Sequence, residues 1–119
     1  MAYVDGFVLP LAKAKLEAYR KQAEGAGKIW MEHGALAFRE CIAEDMNAEN
    51  LRSFPNLANA KEGEIVVFSY IVFKSREHRD EVNAKVMNDP RLKEFCDEKD
   101  PIFNCKRMAY GGFEVLVDY

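Results

Sequence analysis

The sequence predicts an α+β protein of β-α-β-β-α-β order, with an antiparallel sheet and both helices on one face. Two observations carry that expectation. The first is Glu64-Ile-Val-Val-Phe-Ser-Tyr-Ile-Val-Phe-Lys74, the most apolar run in the chain. It is rich in β-branched and aromatic residues and reads as a strand buried on both faces. The second is Ser75, placed directly behind it as a helix N-cap, with Glu77 and Asp80 early in the helix that follows. A chain of 119 residues makes one domain, residues 1–119, long enough to bury ~65% of its unfolded surface around a single core.

The elements follow in order. Tyr3-Val-Asp-Gly-Phe-Val-Leu9 is β-rich and ends at Pro10, giving strand one over 2–9. From Leu11 the period changes. Leu16, Tyr19, Ala23, Ala26 and Trp30 form one stripe of an amphipathic helix, with Lys13, Glu17, Lys21 and Glu24 on or near the other side. Gly25 and Gly27 weaken this helix by ~1 kcal/mol each, or mark close backbone approach. Gly34 is placed to end it in a positive-φ conformation. Residues 35–44 alternate as strand two, with Leu36, Phe38, Glu40 and Ile42 on one face. Residues 45–63 form a long polar connection with Pro55 and four asparagines, in which Leu51, Phe54 and Leu57 predict a turn or two of helix docked on the body. Strand three spans 64–74. Helix two runs from about Arg76 to Asn88 and stops before Asp89-Pro90. Pro90 to Cys96 begins a short helix with Asp89 as its cap. Strand four spans 105–117, with Gly111-Gly112 marking a bulge or bend.

This is the ferredoxin-like arrangement, and it creates a problem on the helix-free side of the sheet. Strand three is apolar on both faces, and so short a chain has no second helical layer to cover it. The economical solution is a homodimer packed sheet against sheet through the helix-free face.

Charge and composition exclude several classes. A net charge of −3 argues against a nucleic-acid partner, which calls for a basic face. No run approaches the ~20 apolar residues of a membrane span. The opening Met-Ala-Tyr-Val-Asp-Gly-Phe lacks a basic region and meets an acid at Asp5, unlike a signal peptide. Three cysteines, Cys41, Cys96 and Cys105, cannot all pair and match no zinc spacing, so a reduced, cytoplasmic compartment is expected. Neither His33 nor His78 has the paired spacing of a metal site, and no metal or cofactor is expected.

Lacking a catalytic signature, the candidates are polar residues on apolar elements. Asp5, Arg39, Glu40 and Arg107 are charges inside expected strands, and an unpaired buried charge is costly. Strand four would lie beside strand one, so Asp5 and Arg107 would pair, as a structural ion pair or as the floor of a polar pocket. His33 ends helix one and serves as a dipole cap or a proton-transfer group. Cys41 is expected to be buried and inert. Ser69 and Tyr70 are adjacent on strand three and must point to opposite faces, so at most one can enter a pocket inside the protomer. Trp30, Tyr19 and Phe38 would line that pocket, or simply be core. Asp5, His33 and Tyr70 are thus the weak catalytic candidates, and Ser69, Trp30, Arg39 and Arg107 the ligand-binding ones. Two functions compete. One is a small-molecule binder or enzyme using a cavity between sheet and helices. The other is a non-catalytic dimer binding a protein partner through the 45–63 loop or the outer helices.

Tyr3-Val-Asp-Gly-Phe7, the Glu64–Tyr70 strand, Arg76–Asp80, Asn88-Asp-Pro-Arg91 and Lys106-Arg-Met-Ala-Tyr-Gly-Gly-Phe-Glu-Val115 together resemble a YbaA-like bacterial family of unknown function. The match runs nearly end to end, and the last segment is the most specific. Ile42 stands where that family has an aromatic, and Asn104-Cys105 where it has an acid and a small residue. The family in turn resembles the dimeric α+β barrel superfamily of cofactor-free monooxygenases, small isomerases and haem-degrading enzymes. The resemblance implies a ferredoxin-like protomer and a barrel-like dimer. It implies no particular activity.

Overall fold

Strand β3, Glu64–Phe73, is flanked on both sides and sets the frame for the rest. A computed structural model describes residues 1–95 and 101–119. Its elements are β1 (Tyr3–Ala12), α1 (Leu16–Glu32), β2 (Ala37–Ile42), a short α2 (Phe54–Leu57), β3, α3 (Arg76–Met87) and β4 (Ala109–Glu114). Single 3-10 segments precede α1, follow α3 and precede β4. The sheet order is β2-β3-β1-β4, and every pair is antiparallel. This is the expected ferredoxin-like topology.

Alternation along β3 divides the sheet into two faces. Val67, Ser69, Ile71 and Phe73 point to the helices and are buried. Ile71 and Phe73 pack with Ile29 of α1 and with Val82 and Val86 of α3. Val67 joins Leu9, Leu11 and Tyr19 in a second cluster. Burying a side chain such as Phe73 contributes ~2–3 kcal/mol. On the other face Phe68 remains 42% exposed, although the Phe54 ring of α2 meets it edge-on at 6.2 Å. Residues 45–63 therefore reach over part of the helix-free face, while Leu51 and Leu57 stay exposed.

Local chemistry explains the boundaries. The Ser75 hydroxyl accepts from the His78 amide at 3.1 Å and caps α3. Asp89 Oδ1 accepts from the Arg91 amide at 2.9 Å and starts the 3-10 segment over Pro90–Phe95. Gly34 has φ +114, a conformation that disfavours any side chain, and turns the chain out of α1. Gly27 does not break α1. A β-carbon there would lie 2.8 Å from the Phe38 ring, so glycine is what lets the helix approach β2.

Three expectations on extent need correction. β1 continues through Pro10 to Ala12. Its pairing with β4 ends at Val8, so Pro10 lies where β1 is an edge and a missing donor is tolerated. α1 begins at Leu16 behind a 3-10 turn, rather than near Leu11. β4 is shorter than 105–117, because Cys105–Arg107 form a 3-10 turn whose start is capped by the Asn104 side chain.

Candidate functional site

The α1 residues Leu16, Tyr19, Ala23, Gly27 and Met31 recur along one side of the helix and face β2 across an open groove of about 750 Å³. Phe38, Glu40 and Ile42 of β2 and Val67 of β3 complete it, all from the helix-side face of the sheet. Ala23, a small residue in the middle of the helix stripe, leaves room for the groove, while at Gly27 the Phe38 ring closes against the helix. The groove's size is that of a ligand site, in the ~300–1,000 Å³ range.

Glu40 is the one acid on the strand side of the groove. It is paired in register with Ser69, which is buried beneath it at 5% exposure. The Tyr19 hydroxyl donates to Glu40 Oε1 at 2.7 Å, and Ser69 also hydrogen-bonds the carboxyl. Glu40 remains open to the groove. Crowding by protein atoms nevertheless raises its pKa above the ordinary carboxyl value, while the bonds to Tyr19 and Ser69 pull the other way without cancelling it. Burial, and then the charge of Glu40, push the Tyr19 phenol up, so it remains a proton donor. A carboxyl raised in this way, held by two hydroxyls and facing a cavity, can accept a ligand donor or move a proton.

A second polar cluster lies elsewhere on the helix side of the sheet. Asp5 is 1% exposed and accepts from Arg79 Nη1 at 2.7 Å. Asn83 Nδ2 reaches its other oxygen at 3.5 Å, and Tyr110 hydrogen-bonds it as well. The Arg79 guanidinium also donates to the Tyr110 hydroxyl at 2.9 Å and lies 4.9 Å over the Tyr3 ring. Asn83 Oδ1 in turn accepts from the Trp30 indole at 3.0 Å. Every member is engaged within the cluster, and neither Asp5 nor Arg79 lines the groove.

The expected Asp5–Arg107 pair does not form. Strand pairing between β1 and β4 ends at Ala109, so Arg107 lies past its end and clamps Glu64 instead, at 2.7 and 2.9 Å. It also donates to the Asn59 carbonyl at 2.9 Å, tying down the long loop. The remaining candidates are dispersed. Ser69 faces the helices, and Tyr70 faces the helix-free side, with Arg39 5.8 Å over its ring. Trp30 packs against Phe38 at 6.0 Å and belongs to the core. His33 ends α1, its Nε2 2.8 Å from Asp89 Oδ2. Cys41, expected to be buried, is exposed because it lies on the helix-free face of the edge strand β2, opposite Phe68. Cys105 is also free and exposed, and Cys96 lies outside the described residues. Among the described residues no group of three or more His, Cys, Asp and Glu side chains is placed to hold a metal, and no helix is long and apolar enough to cross a membrane.

The Arg107 clamp carries a pH prediction. Its hydrogen bonds, and then the Lys61 amide, hold the Glu64 carboxyl down at about 2, against an ordinary value of 4.5. The folded-state value is the lower one, so this contribution is present above pH 4.5 and is lost as pH falls through about 2. Asp89 is depressed by Arg91 and then His33, and acts in the same direction. Thermal melting should therefore drop over that acid window. Glu64→Gln should melt lower at neutral pH but lose less on acidification; an unchanged acid slope would remove Glu64 from the explanation.

Relatives agree with the fold. The chain is 47% identical to the Uncharacterized protein YbaA of Escherichia coli K12 over 118 residues, 99% of each chain. The same identity holds for the YbaA protein of Shigella flexneri. Among solved structures, protein Atu4242 from Agrobacterium tumefaciens superposes with a TM-score of 0.57 at 19% identity, covering 96% of this chain and 92% of that one. An uncharacterized NIPSNAP-like domain protein from Burkholderia xenovorans gives a TM-score of 0.57 at 11% identity, covering 97% and 85%. The model of the DUF1428 family, described as a protein of unknown function, matches residues 2–105. With that match and an end-to-end relationship to YbaA, the chain belongs to the DUF1428 family.

Proposed function

We propose that this protein binds a small, largely apolar molecule in the groove between α1 and β2, with Glu40 as the group that engages it. The observation that carries this reading is a carboxyl set on hydroxyl partners in the strand wall of a cavity of about 750 Å³ whose other walls are mostly apolar. Such a site supplies hydrophobic burial from its walls and orientation from one polar group. Were the bound molecule also transformed, Glu40 is the acid or base on the strand wall of the groove, with Glu24 and Glu32 at its helix rim, whereas Asp5, His33 and Tyr70 do not line it.

The protein acts as a homodimer in this reading. The helix-free sheet face supports it, with Phe68 at 42% and Phe113 at 61% exposure beside Val4, Val8, Tyr70 and Val72. A second copy would remove that surface from water. Exposed free thiols at Cys41 and Cys105 support a reducing, cytoplasmic compartment.

The groove reading is tested by filling it. Ala23→Trp places an indole in the middle of the cavity while leaving Glu40, Tyr19 and Ser69 intact. Titrated with Nile red, a neutral apolar dye, the wild type should bind with a fluorescence rise. Ala23→Trp should bind at least ~10-fold more weakly, a loss of about 1.4 kcal/mol. Equal binding by the two proteins, or none by the wild type, would remove the groove as the site.

A further inference from the structure

We infer that the ligand of the α1–β2 groove is an apolar amine, a hydrocarbon body carrying one ammonium group that pairs with Glu40. This rests on the groove being a small-molecule site, and it adds the chemical class.

The argument begins with what surrounds Glu40. Leu16, Ala23, Phe38, Ile42 and Val67 present hydrocarbon to the groove. The groups bonded to the carboxyl, Tyr19 and Ser69, are neutral hydroxyls. Among the described residues no lysine or arginine forms an ion pair with it. Arg20, Glu24, Lys28 and Glu32 line the rim from α1, two cations and two acids whose charges balance and leave Glu40 as the excess charge. Arg20 lies 3.4 Å from Glu17, and Glu32 receives Arg91 at 2.6 Å. The other acids embedded in the fold contrast with Glu40. Asp5 has Arg79 and Glu64 has Arg107, both at 2.7 Å. Of these three Glu40 lines the groove, and among the described residues no cation forms an ion pair with it.

Chemistry then narrows the ligand. A carboxylate accepts hydrogen bonds at about four positions, and two hydroxyl donors leave the others for a ligand. An ionised acid that an apolar ligand shuts off from water is costly unless the ligand also pairs it. A cation brought in by the ligand supplies the missing partner in surroundings where Coulomb attraction is stronger than in water. A carboxylate or phosphate ligand would meet repulsion at the same point. An alcohol would gain one hydrogen bond and no charge pairing, so the site should rank amine above alcohol and alcohol above acid. Eight-carbon chains are suitable probes because their bodies are identical and only the head group differs.

The test is calorimetric titration of the full-length protein at pH 7 with octylamine, 1-octanol and octanoate. We expect octylamine to bind at least ~10-fold more tightly than 1-octanol, and octanoate to bind most weakly. Glu40→Gln should abolish the preference for the amine and leave 1-octanol within about twofold of wild type. Comparable affinity for the amine and the alcohol, tighter binding of octanoate, or an amine preference that survives in Glu40→Gln would overturn the inference. The wild-type ranking decides the matter even should the variant fold poorly. If 1-octanol binds and Ala23→Trp blocks it while the amine shows no advantage, only the ligand class falls. If none of the three binds, the groove reading falls with it.

Discussion

Arg79→Ala is expected to destabilise the protein by about 3–5 kcal/mol, the cost of leaving a buried charge without its partner. Asp5 is 1% exposed, and the Arg79 side chain only 12%. Removing the guanidinium strands the Asp5 carboxylate between β1 and α3, takes a donor from Tyr110 and uncovers the Tyr3 ring. A loss of that size consumes much of the ~5–15 kcal/mol that holds a domain together. The melting temperature should fall by roughly 10–20 °C. The double variant Asp5→Leu with Arg79→Leu separates the unpaired charge from lost packing. It should recover most of the loss, because a hydrophobic pair of similar volume avoids the desolvation cost. Denaturant titration of the three proteins checks this; an Arg79→Ala midpoint equal to wild type would mean that water reaches Asp5 freely.

Phe68→Asp is expected to convert the proposed dimer into a monomer. Phe68 is central on the helix-free face, in β3 and 42% exposed, with Tyr70 and Val72 along the same strand. A carboxylate there would be dehydrated by a second sheet. Central aromatic anchors carry ~2–4 kcal/mol of association, so affinity should fall by roughly 30- to 1,000-fold. The protomer itself should lose little beyond the ring contacts with Phe54 and Tyr70. Light scattering near 10 µM (an order-of-magnitude choice around ordinary dimer affinities) should give a dimer for the wild type and a monomer for the variant. A wild-type monomer at that concentration would remove the dimer altogether.

Much of the frame was legible because it depends on local chemistry. The composition of Glu64–Phe73 forces a strand, and Ser75 and Gly34 punctuate helices through their own hydrogen bonds and φ. The opposed directions of Ser69 and Tyr70 follow from the pleat alone. Partner choice was less legible, since it depends on register and on distances across the sheet. Strand order puts Asp5 near β4, but only the end of pairing at Ala109 shows that Arg107 falls outside reach and Arg79 inside it. Glu40 stood out as a charge between Phe38 and Ile42 on one face. Its bond to Tyr19 required α1 to sit over β2 at the distance Gly27 permits. A helix stripe that includes small residues opposite a strand-borne acid is the pattern that would have pointed to the groove.

The position of β1 has a consequence for biosynthesis. Tyr3 pairs with Phe73 on one side and Glu114 on the other, so the strand translated first needs neighbours that are translated much later. Closing contacts so distant in sequence carries a loop entropy that local contacts do not repay, and folding of such topologies is slow. Until residues 109–114 leave the ribosome, β1 has an open edge, and Asp5 lacks the Tyr110 member of its cluster. The interval of greatest exposure to aggregation and to chaperone capture is therefore during synthesis, when β3 is already available and β4 is not.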